Sequence, residues 1–103
     1  MYVQDMYNGI VRIEWDEKKN RANTKKHGVS FEEAQTVFFD PLAKVAEDPE
    51  SSTNETRFIA VGHSSFQRVL LVVHCFRESD SVIRIISARK LTKSERKDYE
   101  EGL

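Results

Sequence analysis

At 103 residues, 39% hydrophobic and 32% charged, the chain can bury one modest core and is too apolar for wholesale disorder. No apolar run approaches the roughly 20 residues of a membrane span, and the opening MYVQDMYNG lacks a signal-peptide core. A lone cysteine, Cys75, cannot staple the fold, so the expected compartment is the reducing cytoplasm.

Residues 10–15 (IVRIEW) alternate apolar and polar, as a half-buried strand does. Asp16 then stands where it can cap a helix running to Gly28, a natural left-handed stop. That helix, EKKNRANTKKH, has Ala22 as its only aliphatic side chain. Helices normally persist by burying an apolar stripe, so either this one is short and solvated or its polar groups line a working surface. Ser30 and Glu33 form a capping-box pattern, with Phe31, Ala34, Val37 and Phe38 following at helical spacing. Asp40-Pro41 ends this second helix.

Residues 43–47 read as a short strand, followed by a polar loop, DPESSTNE, expected to be mobile. Strands are predicted over 57–63, 68–77 and 82–89, the last two joined by a four-residue hairpin loop, Glu78–Ser81. Thr92 and Glu95 open a final helix ending near Gly102. The order is β-α-α-β-β-β-(β)-α. Short connections make the strands antiparallel, so the expected class is α+β: a small antiparallel sheet packed by two N-terminal helices, with a C-terminal helix. No repeat or linker divides the sequence, which predicts one domain over 1–103 with residues 1–9 as a flexible extension.

The net charge of −1 hides a polarised molecule. From Arg57 to Lys97 there are nine Lys/Arg and three acids, a sum of +6, against −7 elsewhere. Five of the nine are arginines within or beside strand-like runs, where a planar guanidinium can grip phosphate through two parallel hydrogen bonds. Alternation gives 68–77 two faces, one with Arg68 and His74, the other with Cys75 and Arg77. If Arg77 pairs with Val82, then Arg68, His74, Ser87 and Arg89 share a face. A slip of one residue puts Arg84 with His74 instead.

A sheet face of this kind suits a phosphodiester chain. Metal-free RNA cleavage needs little: the 2′-hydroxyl attacks its own phosphorus while the protein moves two protons and stabilises the phosphoryl charge. Arginines serve the last task and histidines the first. His27 and His74 are the proton-transfer candidates, with Lys26, Glu78 and Tyr99 in reserve. Plainer roles compete: His74 as a packed histidine, Lys26 and His27 as cations favoured in a helix's last turn, Arg57 and Arg68 as solvated strand flanks. Other chemistries lack their signatures, with no CxxC, HExxH, glycine-rich phosphate loop or GxSxG. A helix-turn-helix over 16–38 would present an acidic start to the bases.

Two blocks together resemble the BrnT family of bacterial toxins, the toxin halves of type II toxin–antitoxin pairs. One is Glu14–Pro41, with E-W-D, K-H-G-V-S-F-E-E-A and V-F-x-D-P. The other runs from Glu55 and Arg57 through Gly62, Arg68, V-L-L-V-V-H and Arg77 to I-R-I-I-S-A-R and Glu95-Arg96-x-x-Tyr99. Gln67 departs from the pattern, which has glycine before the arginine for a tight turn. The resemblance implies a RelE-like fold and a ribonuclease that blocks translation, needs no metal or other cofactor, and is silenced by a cognate BrnA-like antitoxin in a hetero-oligomer that reaches operator DNA only through the antitoxin. By motif, catalysis falls to His27, Arg57, His74, Arg84 and Arg89, and RNA binding to Lys26, Arg68, Arg77 and Ser87. The alternative is a non-catalytic RelE-like scaffold that binds nucleic acid or protein without cutting.

Overall fold

The computed structural model describes residues 1–50 and 55–102. Its elements are α1 (Val3–Met6), β1 (Arg12–Glu14), α2 (Glu17–His27), α3 (Phe31–Ala34) continued by a 3₁₀ turn (Gln35–Phe39), β2 (Lys44–Glu47), β3 (Phe58–His63), β4 (Val69–Arg77), β5 (Val82–Lys90) and α4 (Lys93–Glu100). The class is α+β. The five strands form one sheet in the order β1-β5-β4-β3-β2. Four are antiparallel neighbours as expected, but β1 lies parallel to β5, with Ile13 opposite Ile83 and Glu14 opposite Arg84. The sheet is therefore mixed: β1 reaches its neighbour by a long crossover, for which no short loop fixes direction. Part of the DPESSTNE loop, residues 51–54, lies outside the described residues.

The polar helix α2 has a physical explanation. Asp16 caps it by accepting from the Lys19 backbone N–H at 3.0 Å, and Gly28 ends it at φ 69°. Its buried residues are asparagines rather than aliphatics. Asn23 donates to Ala88 O at 2.8 Å and accepts from Ala88 N at 3.1 Å, and it also donates to Val29 O. Its amide thus pairs with the edge of β5 as a neighbouring strand would. Asn20 accepts from Phe31 N and donates to Glu17 and Glu32, tying α2 to the start of α3. Buried amides satisfied on both ends replace the missing apolar stripe.

Helices α1 and α3 with the 3₁₀ turn cover one sheet face. The core there includes Phe31, Val37, Leu70, Val72, Ile83, Ile85 and Ala88. Residues 1–9, expected to be a flexible extension, are anchored instead through Val3 and Tyr7, which are buried in the core. Val3 is 1% exposed, its N–H bonds Ala43 O, Val45 donates to Met1 O, and Tyr2 bridges Lys44, so the terminus covers the outer edge of β2. Ser30 caps α3, but the expected reciprocal half of the box is absent. The Glu33 carboxylate turns to Arg68 and Ser64 instead.

The turn between β3 and β4 keeps its tight geometry without glycine: Gln67 adopts φ 63°. In the hairpin at 78–81, Glu78, Ser79 and Asp80 are all left-handed. Gly62 is required by close approach, because a Cβ there would lie 2.7 Å from Ala43 Cβ and 3.0 Å from Asp40 Oδ2. Asp40 uses that oxygen to accept the His63 backbone N–H.

Candidate functional site

The register of β4 and β5 decides which side chains meet. Arg77 does pair with Val82, as the first of the two predicted registers requires, and Cys75 then lies opposite Arg84 and His74 opposite Ile85. A bulge at Val73/His74 follows, after which Val73 faces Ser87 and Leu71 faces Arg89. The extra residue is Ile86, and it reverses the parity of everything beyond it. Neither predicted grouping survives. Arg84, Ser87 and Arg89 all share the open face with Leu71, Val73, Cys75 and Arg77, whereas His74 faces the core.

The fate of His74 follows from that placement. It is fully buried, with Tyr7 Oη 2.6 Å from Nε2 and Val72 O 3.1 Å from Nδ1, amid the rings of Tyr7, Phe38, Phe58 and Phe76. The arrangement is satisfied when Nδ1–H donates to Val72 and Nε2 accepts from Tyr7. Burial pushes its pKa down to about 4, against a smaller upward pull from the Val72 carbonyl. It is a neutral core histidine, so its expected meeting with Ser87 and Arg89 is corrected. Arg68 also departs from the expected grouping. It projects towards the helices, where Glu33 and Gly28 O hold it, and the Glu33 carboxyl is kept low by the Arg68 hydrogen bond.

Alternation on β3 places Arg57, Ile59, Val61 and His63 on the open face, with Ile59 opposite Val73. Cys75, Arg84 and Glu14 thus form a transverse row, each step being about 4.8 Å between strands, and Arg57 immediately precedes β3 beside the Cys75 end. Three of the arginines carry a carboxylate from outside their own strand. Arg84 donates to Glu14 Oε2 at 2.8 Å, Arg77 bonds Glu55, and Arg89 grips Glu95 with both arms at 2.8 and 2.9 Å. Glu95 also accepts the Thr92 N–H, and these two contacts, Arg89 first, hold its carboxyl down at about 2.

Cys75 lies at one end of the row, fully buried, with Arg77 Nη1 3.2 Å from Sγ. Burial and then the Glu55 hydrogen bond raise its thiol to about 11, so it is a packed group rather than a nucleophile. Helix α4 closes one end of the face, tethered by Glu95 to Arg89 and by the Tyr99 ring against His63 at 6.2 Å. Lys26, exposed, and His27, half-buried, sit in the last turn of α2, three and four residues beyond the Asn23 that secures the β5 edge.

The structure therefore brings together Arg57, Arg77, Arg84, Ser87 and Arg89, sets Lys26 and His27 at the flank, and removes Arg68 and His74. The carboxylate partners Glu14, Glu55 and Glu95 were missed as site residues. Glu14 owes its place to a parallel pairing that alternation alone does not signal. Among the described residues, no three His, Cys, Asp or Glu side chains come together as metal ligands would, and no helix is long and apolar enough to cross a membrane.

The fold is similar to that of the Brucella abortus ribonuclease toxin BrnT, known from a 1.1 Å crystal structure. The likeness has a TM-score of 0.61 at 24% identity and covers 81% of this chain and 99% of that one. No curated protein matches the chain. Residues 15–95 match the family described as ribonuclease toxin, BrnT, of type II toxin-antitoxin system. That match takes in both α2 and the Arg-bearing strands, and the chain belongs to the BrnT family of ribonuclease toxins.

Proposed function

We propose that the protein is a cytoplasmic endoribonuclease that cleaves RNA on the open sheet face, without a metal, by attack of the 2′-hydroxyl on the adjacent phosphorus, and so halts translation. One observation carries this reading: Arg57, Arg77, Arg84, Ser87 and Arg89 share a single face. Guanidinium groups spread along one sheet face can follow a phosphodiester backbone and stabilise charge on the phosphoryl oxygens. The carboxylates already on three of them are no obstacle. Those pairs are about one-third to two-fifths exposed, and such ion pairs are typically worth about 0–1 kcal/mol, so a phosphate can displace or share them. With His74 in the core, His27 and Lys26 remain as proton-transfer candidates in the last turn of α2.

The partner in this reading is a BrnA-like antitoxin that occupies the same face, excludes RNA and alone contacts operator DNA in the hetero-oligomer. The test is cleavage of RNA by pure, folded, antitoxin-free protein in EDTA. The expected products carry 2′,3′-cyclic phosphate and 5′-hydroxyl ends, and folded Arg84→Ala and Arg89→Ala variants yield far less of them. RNA left intact by the wild type would favour the non-cutting scaffold; cleavage abolished by EDTA would point to a metal nuclease.

A further inference from the structure

The loss of His74 to the core leaves the reaction without an evident acceptor for the 2′-hydroxyl proton among the Arg-bearing strands. The geometry points to Glu14 as that acceptor, an inference that rests on the ribonuclease reading above. Glu14 lies in the transverse row beside Arg84, held by the parallel ladder between β1 and β5. Its Oε2 accepts from Arg84 at 2.8 Å, while among the described residues Oε1 has only a long 3.4 Å contact with Arg12. The side chain is 31% exposed, so one oxygen retains acceptor capacity toward the open face. The Arg84 hydrogen bond, and after it the charges of Arg84 and Arg12, favour the ionised carboxylate.

Three other carboxylates are worse placed. Glu95 commits both oxygens to the Arg89 fork and one also to the Thr92 N–H. Glu55 is shared between Arg77 and the Cys75 thiol. Glu33 is behind the sheet with Arg68.

A phosphate held by Arg84 brings the 2′-hydroxyl of the ribose that carries it on its 3′-oxygen beside the carboxylate that shares this guanidinium. Glu14 takes the hydroxyl proton as the O2′–P bond forms. The P–O5′ bond breaks with its electron pair on O5′, which takes a proton from water. The glutamic acid then returns its proton to the hydroxide so formed. No oxidant, metal or further reactant is required.

The test compares wild type and Glu14→Gln, which keeps an oxygen for Arg84 but cannot take a proton. Single-turnover cleavage of an RNA oligonucleotide is followed across pH, and binding is measured separately with a 2′-O-methyl RNA. Glu14→Gln should cleave about 10²–10⁴-fold more slowly, lose the acid limb of the pH–rate profile, and bind the uncleavable RNA at least as tightly. Formate should restore part of the activity of Glu14→Ala. A Glu14→Gln rate within about threefold of wild type would overturn the inference and leave the ribonuclease reading standing. Equal loss of binding and rate would instead reduce Glu14 to a support for Arg84 and overturn it too. An inactive wild type would overturn the ribonuclease reading itself.

Discussion

Acid should destabilise this protein through His74, well before its carboxylates begin to titrate. In the folded chain the imidazole has a pKa near 4, against 6.5 for an unperturbed histidine. Between those values the unfolded chain binds the proton and the folded chain does not, so stability is present above about pH 6.5 and is lost as pH falls. At ~1.4 kcal/mol per unit the ceiling is about 3 kcal/mol, of which about 2 kcal/mol is gone by pH 5. The groups facing the ring are the Tyr7 hydroxyl, the Val72 carbonyl and the rings of Phe38, Phe58 and Phe76, none of which titrates in that window. Glu14, Glu33 and Glu95 all have carboxyls lowered from 4.5, so they weaken the fold only below that value. Urea unfolding at pH 7 and pH 5 should show the loss in the wild type. His74→Gln, though less stable at both, should show little difference between them. A wild type equally stable at both, or a variant with the same slope, would refute a neutral core histidine.

Further outcomes follow from the same contacts. Asn23→Ala leaves the Ala88 N–H and two buried carbonyls without their partner and should cost roughly 2–4 kcal/mol in chemical denaturation. Arg68→Ala strands the Glu33 carboxylate, whose side chain is 3% exposed, and should cost about 3 kcal/mol while RNA affinity in the folded variant is unchanged. Gln67→Gly relieves a left-handed side chain and should raise stability by about 1 kcal/mol. If four arginines contact phosphate, log K for single-stranded RNA should fall with log salt at a slope of about −3.

How much of this was legible in the chain divides along physical lines. Local signals worked: Asp16, Gly28, Thr92 and Glu95 mark the helix ends they were expected to mark, and alternation found the long strands. Signals depending on a distant partner did not. The β1–β5 pairing joins residues some 70 positions apart, and nothing in IVRIEW distinguishes a parallel edge from an antiparallel one. Ile86 has no mark of a bulge, yet its insertion separates His74 from Ser87 and Arg89 and unites them with Arg84. Glu33 could have completed the Ser30 box; the choice of Arg68 instead was made by the fold. The arginine grouping was legible as charge, and its membership was settled by one inserted residue. The N-terminal stretch offered only Val3, Met6 and Tyr7 at helical spacing, a single turn too short to announce the burial of Val3 and Tyr7.

The most direct test of the account asks which face meets RNA. Amide and Arg side-chain NMR signals would be followed as an uncleavable 2′-O-methyl RNA is titrated at low salt. Shifts are expected at Arg57, Val73, Arg84, Ser87 and Arg89, with Arg68, Glu33 and Leu70 quiet. Shifts concentrated around Arg68 and the helices, with the open strands unmoved, would contradict RNA binding on the open face.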